Sequence, residues 1–468
     1  MKLFFLTIAT GILIAIIFVG NNIGNEKYFL NYYKKYFSDN LKVTLKETIF
    51  VFQNQKVLKN LIKKEQEQSQ NITKQALLIS FDKLYFNKQV QNNSKVTFYN
   101  SGVTNILSKR GYLQYYNNLL YLVTGTGKIF SGEISKSNQT IVLSDLKSNF
   151  LEIAGMEYLI ESKSIVNHFL IDKNNLYLSF TKKINNNCYN NSILIAELNG
   201  VFLNFKNFFS TNQCLSNFFN YSSGGRLSVL DDEHVMFSTG DFDPYSNNDP
   251  YPQYDDDLRG KILKINTING SYSLLSKGHR NPQGLFYDTF NKIIFSTDHG
   301  PQGGDEINMQ ELKDKKIKNF GWPISSYGSH YNSEDVKKIG IFNYSGANSN
   351  KFKTEEKYKK QPLFKSHAKQ NFAEPIMTWK DQSIAPTQVI SVYDERKKEF
   401  HLYVGGLGNL DELHKSVHQL VFDKDFNLLK NGKIKINQRI RDMIFVKDTN
   451  SIILFLEETA SIAFIEIE

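Results

Sequence analysis

The sequence predicts an all-β protein, a six-bladed β-propeller preceded by an N-terminal membrane anchor and a short stalk. Three features of the 468-residue chain carry that prediction: an uncharged apolar run at the N-terminus, a polar stretch behind it, and six recurrences of one strand unit beyond. Repeat folds of this kind exceed the usual length of a single domain without splitting. A hydrophobic content of 41% supplies a core, and a charged content of 22% is that of a globular chain.

Residues 1–24 hold the run from Leu3 to Val19, which carries no charge and follows only Met1 and Lys2. It is read as an uncleaved anchor. A cleaved secretory peptide is the alternative, although Gly20, Asn21, Asn22, Ile23 and Gly24 match an Ala-x-Ala cleavage site poorly. Lys2 on one side and Lys27, Lys34 and Lys35 on the other leave the positive-inside rule undecided. Residues 25–101 are Lys- and Gln-rich, with a helix-like spacing at Val57, Leu58, Leu61 and Ile62. They read as a membrane-proximal stalk, or as an atypical cap on the domain that follows.

From residue 102 to 468 short β-branched and aromatic runs alternate with Asn, Asp, Gly and Lys, the pattern of many short strands. The recurring unit is a polar turn followed by a large apolar strand. Its copies begin near Asn117, Asn174, Asp232, Asn291, Glu399 and Ser451, giving gaps of 57, 58, 59, 108 and 52 residues. Most of these gaps are about the length of a four-stranded blade. The long gap is read as an insertion between Asn308 and Thr378 rather than a seventh blade, because that text is polar and poor in strand-like runs.

The net charge of +9 comes from lysines scattered along the chain. No basic stripe with interleaved aromatics and no finger or helix-turn-helix pattern accompanies it, so no nucleic-acid partner is expected. Cys188 and Cys214 permit a disulfide without requiring one.

Chemistry concentrates in loop-like blocks dense in Gly and Pro: Gly278-His279-Arg280-Asn281-Pro282-Gln283-Gly284, His299-Gly300-Pro301-Gln302-Gly303-Gly304-Asp305-Glu306-Ile307-Asn308 and Asn319-Phe320-Gly321-Trp322-Pro323. Arg, Asn and carboxylates are costly on purely structural turns, so these blocks point to a site. Together with Gly224-Gly225-Arg226-Leu227, Gly240-Asp241, Gly260-Lys261-Ile262-Leu263, Trp379, Ser383-Ile384-Ala385-Pro386 and Arg439-Ile440-Arg441-Asp442, they resemble the soluble quinoprotein glucose dehydrogenases. That family includes aldose sugar dehydrogenases and sorbosone dehydrogenase-like proteins. The resemblance spans roughly residues 102–468.

It implies a six-bladed propeller that binds pyrroloquinoline quinone and Ca²⁺ and oxidises the anomeric carbon of a sugar to a lactone. By resemblance, Gly300 and Pro301 offer carbonyls to calcium, a hard cation that takes oxygen ligands. Arg280 lies beside the quinone carbonyl, Asn281 next to it, and Trp379 packs on the cofactor, a place in the core being the alternative for that tryptophan. Arg439 and Arg441 grip the cofactor's carboxylates, and their spacing puts them on one face of a strand. The resemblance also implies a periplasmic protein, here held at the inner membrane of a Gram-negative bacterium, passing electrons to an unspecified acceptor.

Two positions depart from the family pattern. Ser222 stands where the family has its general base histidine, and Gly408 where it has a lysine near the quinone. The loop Thr124-Gly125-Thr126-Gly127 also lacks a polar side chain found in the glucose enzymes. General-base catalysis is worth about 10²–10⁴ in rate, so a replacement is needed, with Tyr221, adjacent in sequence, and His299, beside the calcium loop, the nearest candidates. The sequence thus supports a sugar dehydrogenase with an altered base, and alternatively a non-catalytic propeller used for binding at the membrane.

Overall fold

The structure, a computed structural model, describes residues 82–89, 96–101, 110–135, 137–162, 164–186, 188–199, 202–215, 222–242, 251–300, 303–314, 316–327, 367, 371–379, 383–408 and 414–467. The expected anchor and most of the expected stalk, together with Tyr221 and Pro301, lie outside the described residues. Among the described residues no helix is long and apolar enough to cross a membrane.

Two strands, β1 (Lys83–Gln89) and β2 (Val96–Asn100), come first. Blade 1 follows with β3 (Gly111–Tyr116), β4 (Leu119–Thr124), β5 (Ile129–Glu133) and β6 (Thr140–Ser148), and two short helices, α1 (Phe150–Ala154) and α2 (Met156–Ser162), lead out of it. Blade 2 contains β7 (Val166–Asp172), β8 (Asn175–Asn185), β9 (Cys188–Glu197) and, after the short β10 (Phe202–Leu203), β11 (Lys206–Ser210). Blade 3 is β12 (Gly224–Asp231), β13 (His234–Thr239), β14 (Lys261–Asn266) and β15 (Tyr272–Lys277).

In blade 4, β16 (Pro282–Asp288), β17 (Ile293–Asp298) and β18 (Asp305–Glu311) are followed by β19 (Lys318–Asn319), which joins blade 3, and by the outer strand β20 (Met377–Trp379). Blade 5 is β21 (Pro386–Asp394), β22 (Glu399–Gly406), β23 (Ser416–Phe422) and β24 (Leu428–Lys435). Blade 6 has β25 (Ile440–Val446), β26 (Ser451–Leu456) and β27 (Ser461–Glu466), with β2 as its fourth strand.

The innermost strands contact one another in the closed order β3, β7, β12, β16, β21, β25 and back to β3. Six buried apolar clusters fill the six spaces between neighbouring blades. The ring is therefore complete, as the strand repeats predicted. The long gap is an insertion within blade 4, between β18 and β20.

Each of the six sequence repeats is the second strand of a blade: β4, β8, β13, β17, β22 and β26. These strands have neighbours within the blade on both edges and packed blades on both faces, so nearly every side chain is buried. Full burial favours continuous apolar runs over alternation. The outer strand β24, by contrast, is lysine-rich and mostly exposed. Tight turns fix the hairpins: Asn117 and Asn118 have φ of 49° and 63°, and Lys173 and Asn174 have φ of 45° and 64°. Positive φ at both central residues is what a two-residue hairpin turn requires, and Asn tolerates it best after Gly.

The sequence boundary at residue 102 is corrected. Strands β1 and β2 fall in the stretch read as stalk or cap, yet β2 pairs with β27 to complete blade 6 and β1 pairs with β6 on the outside of blade 1. The β1–β2 pairing joins the first and last blades into one continuous sheet, closing the ring by backbone hydrogen bonds. Cys188 and Cys214 form a disulfide beside the Tyr189–Leu215 bridge in blade 2.

Antiparallel alternation decides where function can lie. Loops joining blades, and loops between second and third strands, all emerge at one end of the ring. The remaining turns emerge at the other. Ser222, Arg280, Asn281, Gly300, Leu407, Arg439 and Glu457 all sit in or beside loops at that first end.

Candidate functional site

Asp298, at the end of β17, organises the first block. Its carboxylate accepts the backbone N–H of Arg280 at 3.0 Å and of Asn281 at 2.6 Å, and lies 3.2 Å from Nδ1 of His279. That fixes the turn from which the Arg280 side chain leaves. The Arg280 guanidinium donates to the carbonyls of His299 (3.2 Å) and Gly300 (3.3 Å) and sits 5.5 Å from the Trp322 ring. Asn281 is buried, and its side-chain oxygen accepts the Gly224 N–H at 3.1 Å and the Gln283 amide at 2.8 Å.

Carboxylates tie the other blocks to this one. Trp322 donates its indole N–H to Asp241 at 2.8 Å, and the Asp241 N–H donates to the Arg280 carbonyl at 2.8 Å. Asp305 accepts the N–H of Gly300 at 2.9 Å, of Ile384 at 2.8 Å and of Ala385 at 2.9 Å, and the Ser383 hydroxyl at 2.8 Å. Burial raises the Asp305 carboxyl to about 7, against the pull of these donors.

His299 lies between two cationic groups. Its Nε2 is 2.6 Å from the Pro386 carbonyl, which can only accept, so Nε2 carries the proton and Nδ1 is the basic nitrogen. Burial lowers its pKa to about 4; the Pro386 contact opposes this, and the charges of Arg280 and Arg441 add to it. A ring held neutral in this way makes stability depend on pH. The unfolded histidine binds a proton below about 6.5, while the folded one does not until about 4. Its contribution is complete above the higher value and is lost as the pH falls through the lower. Urea unfolding of the wild type at pH 7.5 and at pH 5 is expected to show acid destabilisation that His299→Gln partly removes. Equal losses in both proteins would contradict it.

Arg439, just before β25, and Arg441, on it, both reach Glu457. Arg439 Nε lies 3.4 Å from one Glu457 oxygen and Arg441 Nε 2.5 Å from the other. Arg439 also donates to the carbonyls of Leu407 at 3.2 Å and Gly408 at 2.9 Å. Burial disfavours the Glu457 charge, but Arg441, Arg439 and Arg110 outweigh it and hold the carboxyl below its ordinary range.

Ser222 is 1% exposed, and its hydroxyl has no hydrogen-bond partner among the described residues. Trp379 lies in the outer strand of blade 4, edge-on to His418 with ring centroids 5.5 Å apart. It packs on the core between blades 4 and 5. The indole lining the cleft with Arg280, His299 and Gly300 is Trp322 instead. Sequence reasoning did not single out Asp298, Asp305, Trp322 or Glu457 for these roles. Trp322 and Asp305 stood inside quoted blocks, whereas Glu457 left no local signal.

Fold and site together define a closed six-bladed propeller with a cleft at its loop-rich end, lined by Arg280 and reached by the charge of Arg441. Residues 166–349 match the family described as Glucose / Sorbosone dehydrogenase, in agreement with the resemblance carried by the sequence blocks. Aldose sugar dehydrogenase YliI of Escherichia coli (strain K12) is 26% identical over 234 residues, 47% of this chain and 53% of that protein. Quinoprotein glucose dehydrogenase B of Acinetobacter calcoaceticus is 34% identical over 100 residues, 19% of each chain. The chain thus spans about half or less of the length of these relatives. The solved apo structure of the soluble aldose sugar dehydrogenase (Asd) from Escherichia coli superposes with a TM-score of 0.55 at 19% identity, covering 77% of this chain and 96% of that one. At that identity the likeness supports the shared fold alone.

Proposed function

We propose that this chain is a quinone- and calcium-dependent dehydrogenase that oxidises the anomeric carbon of an aldose or related sugar to a lactone. The observation that carries the reading is Arg280, fixed by Asp298 and set against the His299 and Gly300 carbonyls at the loop-rich end of the ring. The residues fit pyrroloquinoline quinone and Ca²⁺ in charge and donor type. Arg439 and Arg441 converge on one carboxylate, Glu457, which is the type of group they would meet in the cofactor and which the cofactor would have to displace. The Gly300 carbonyl, held by a long 3.3 Å contact to Arg280, is the oxygen ligand a calcium ion would take.

When bound, the quinone supplies the hydride acceptor and calcium polarises it. The chain's own residues do the rest. Arg280 places a fixed positive charge where negative charge develops, an arrangement worth most in a water-poor site. Trp322 walls the cleft, Asp298 fixes the backbone turn that carries Arg280, and the His299 and Gly300 carbonyls hold its guanidinium. His299 Nδ1 is the basic nitrogen nearest the Gly300 loop, but a pKa of about 4 makes it a weak proton acceptor at neutral pH.

The proposed setting is the periplasmic face of the inner membrane, with an N-terminal anchor in residues 1–24 and an unidentified electron acceptor. The Cys188–Cys214 disulfide fits an oxidising compartment. A second reading, a non-catalytic binding propeller, is favoured by Glu457 engaging both arginines and by Ser222 at the position of the family's base.

Titrating the purified full-length protein with quinone in the presence of Ca²⁺, then adding a panel of aldoses and an acceptor dye, separates the two. Arg439→Gln is expected to weaken quinone affinity about tenfold or more, the loss of one charge-assisted contact of roughly 1.5–3 kcal/mol. Unchanged affinity in that variant would remove Arg439 from the site. An export reporter fused after residue 100 tests the compartment, and cytoplasmic reporter activity would count against it.

A further inference from the structure

We propose that Ser325, His367 and Glu306 form a second catalytic constellation in the same cleft, able to hydrolyse a small ester or lactone by acyl transfer through Ser325. Glu306 leaves β18 directly across from Asp298 of β17, so both carboxylates face the cleft that Arg280 lines. Ser325 follows the Trp322 turn and lines the cleft as well. His367 bridges the two. Its Nδ1 lies 2.6 Å from the Ser325 hydroxyl and its Nε2 lies 3.1 Å from Glu306 Oε1.

This is the relation a nucleophile, a general base and an orienting carboxylate need: hydroxyl to imidazole, imidazole to carboxylate, each within hydrogen-bond reach. Asn308 donates to the other Glu306 oxygen at 3.2 Å, which holds the carboxylate in place. The Tyr327 ring lies 4.9 Å from the imidazole and walls it on one side. Ser325 and His367 are each 1% exposed and Glu306 7%, so water competes little with the chain.

The step balances without a cofactor. The Ser325 hydroxyl oxygen attacks the acyl carbon while its proton passes to His367 Nδ1, and Glu306 accepts from the imidazolium at Nε2. Collapse breaks the acyl–oxygen bond, and the leaving alkoxide takes the proton from Nδ1; in a lactone this opens the ring and leaves an acyl-serine ester. Water, deprotonated by the same imidazole, then releases the acid and restores Ser325. Arg280 lines the same cleft and supplies a positive charge there for the developing oxyanion. A lactone is also the class of product that the dehydrogenase reading would release, although this proposal requires neither quinone nor calcium.

The test uses purified full-length protein free of quinone and calcium, a fluorophosphonate probe, and mass-spectrometric location of the adduct. The adduct is expected on Ser325, with p-nitrophenyl acetate turnover lost in step with labelling. His367→Ala is expected to slow labelling by about 10²-fold or more, as removal of a general base does. Glu306→Gln, which keeps the shape of the side chain, is expected to slow it less, and a melting transition checks that each variant is folded. Absence of an adduct on Ser325 in folded wild-type protein, or labelling indifferent to His367→Ala, would overturn the proposal. Neither result would bear on quinone binding.

Discussion

Replacing Asp442 by alanine is expected to lower the unfolding free energy by about 3–5 kcal/mol, the cost of leaving a buried charge without its partner. Arg226 stands on β12 of blade 3 and Asp442 on β25 of blade 6, opposite each other in the ring. Their side chains are 3% and 0% exposed, and Arg226 Nη1 meets Asp442 Oδ1 at 2.6 Å. The pair therefore spans the channel. Arg226 Nε also donates to the Gln283 carbonyl of blade 4 at 2.8 Å, and Asp442 accepts the Leu113 N–H of blade 1 at 2.7 Å.

Burial raises the Asp442 carboxyl above its ordinary range, with Arg226 pulling the other way. That asymmetry makes a second outcome specific. The double variant Arg226→Met with Asp442→Leu is expected to be more stable than either single change to alanine, because no charge is left unpaired. Urea unfolding measures all three. A double variant that loses the sum of the single losses would contradict the reading of the pair as a coupled unit.

Arg280→Ala is expected to reduce the turnover of sugar by about 10²–10³-fold, the range seen when one donor to a developing oxyanion is removed. Stability should change far less, because the guanidinium is half-buried and its partners in the loop are the His299 and Gly300 carbonyls. The loss should appear in kcat as well as in kcat/KM, since a contact made chiefly in the transition state affects both. A change confined to KM would make Arg280 a binding residue only.

The sequence made the propeller legible through β4, β8, β13, β17, β22 and β26, because a strand buried on every side leaves an unbroken apolar run. It hid β1 and β2. Those strands join the ring through partners at β6 and β27, and β27 lies at the far end of the chain, so no local pattern marks them.

The site was legible where chemistry sits in contiguous blocks. Arg280, Asn281 and Gly300 fall together, held by Asp298 and Asp305. Trp379 stayed open between cleft and core because an isolated tryptophan fits either, and it stands on the outer strand of blade 4 against the core. Glu457 left no local signal because it meets Arg439 and Arg441 across the β25–β26 hairpin of blade 6, and the link of Ser325 and His367 to the quoted Glu306 was hidden by the long insertion that separates them.

On the proposed function, the cleft beside Arg280 binds a quinone that takes a sugar's electrons. Reconstitution of the full-length protein with pyrroloquinoline quinone and Ca²⁺ tests it most directly, by following the absorbance of bound quinone and then dye reduction on adding an aldose. Saturable quinone binding is expected, followed by sugar-dependent dye reduction that Arg280→Ala largely removes. Failure to bind quinone in folded, calcium-loaded protein would contradict it.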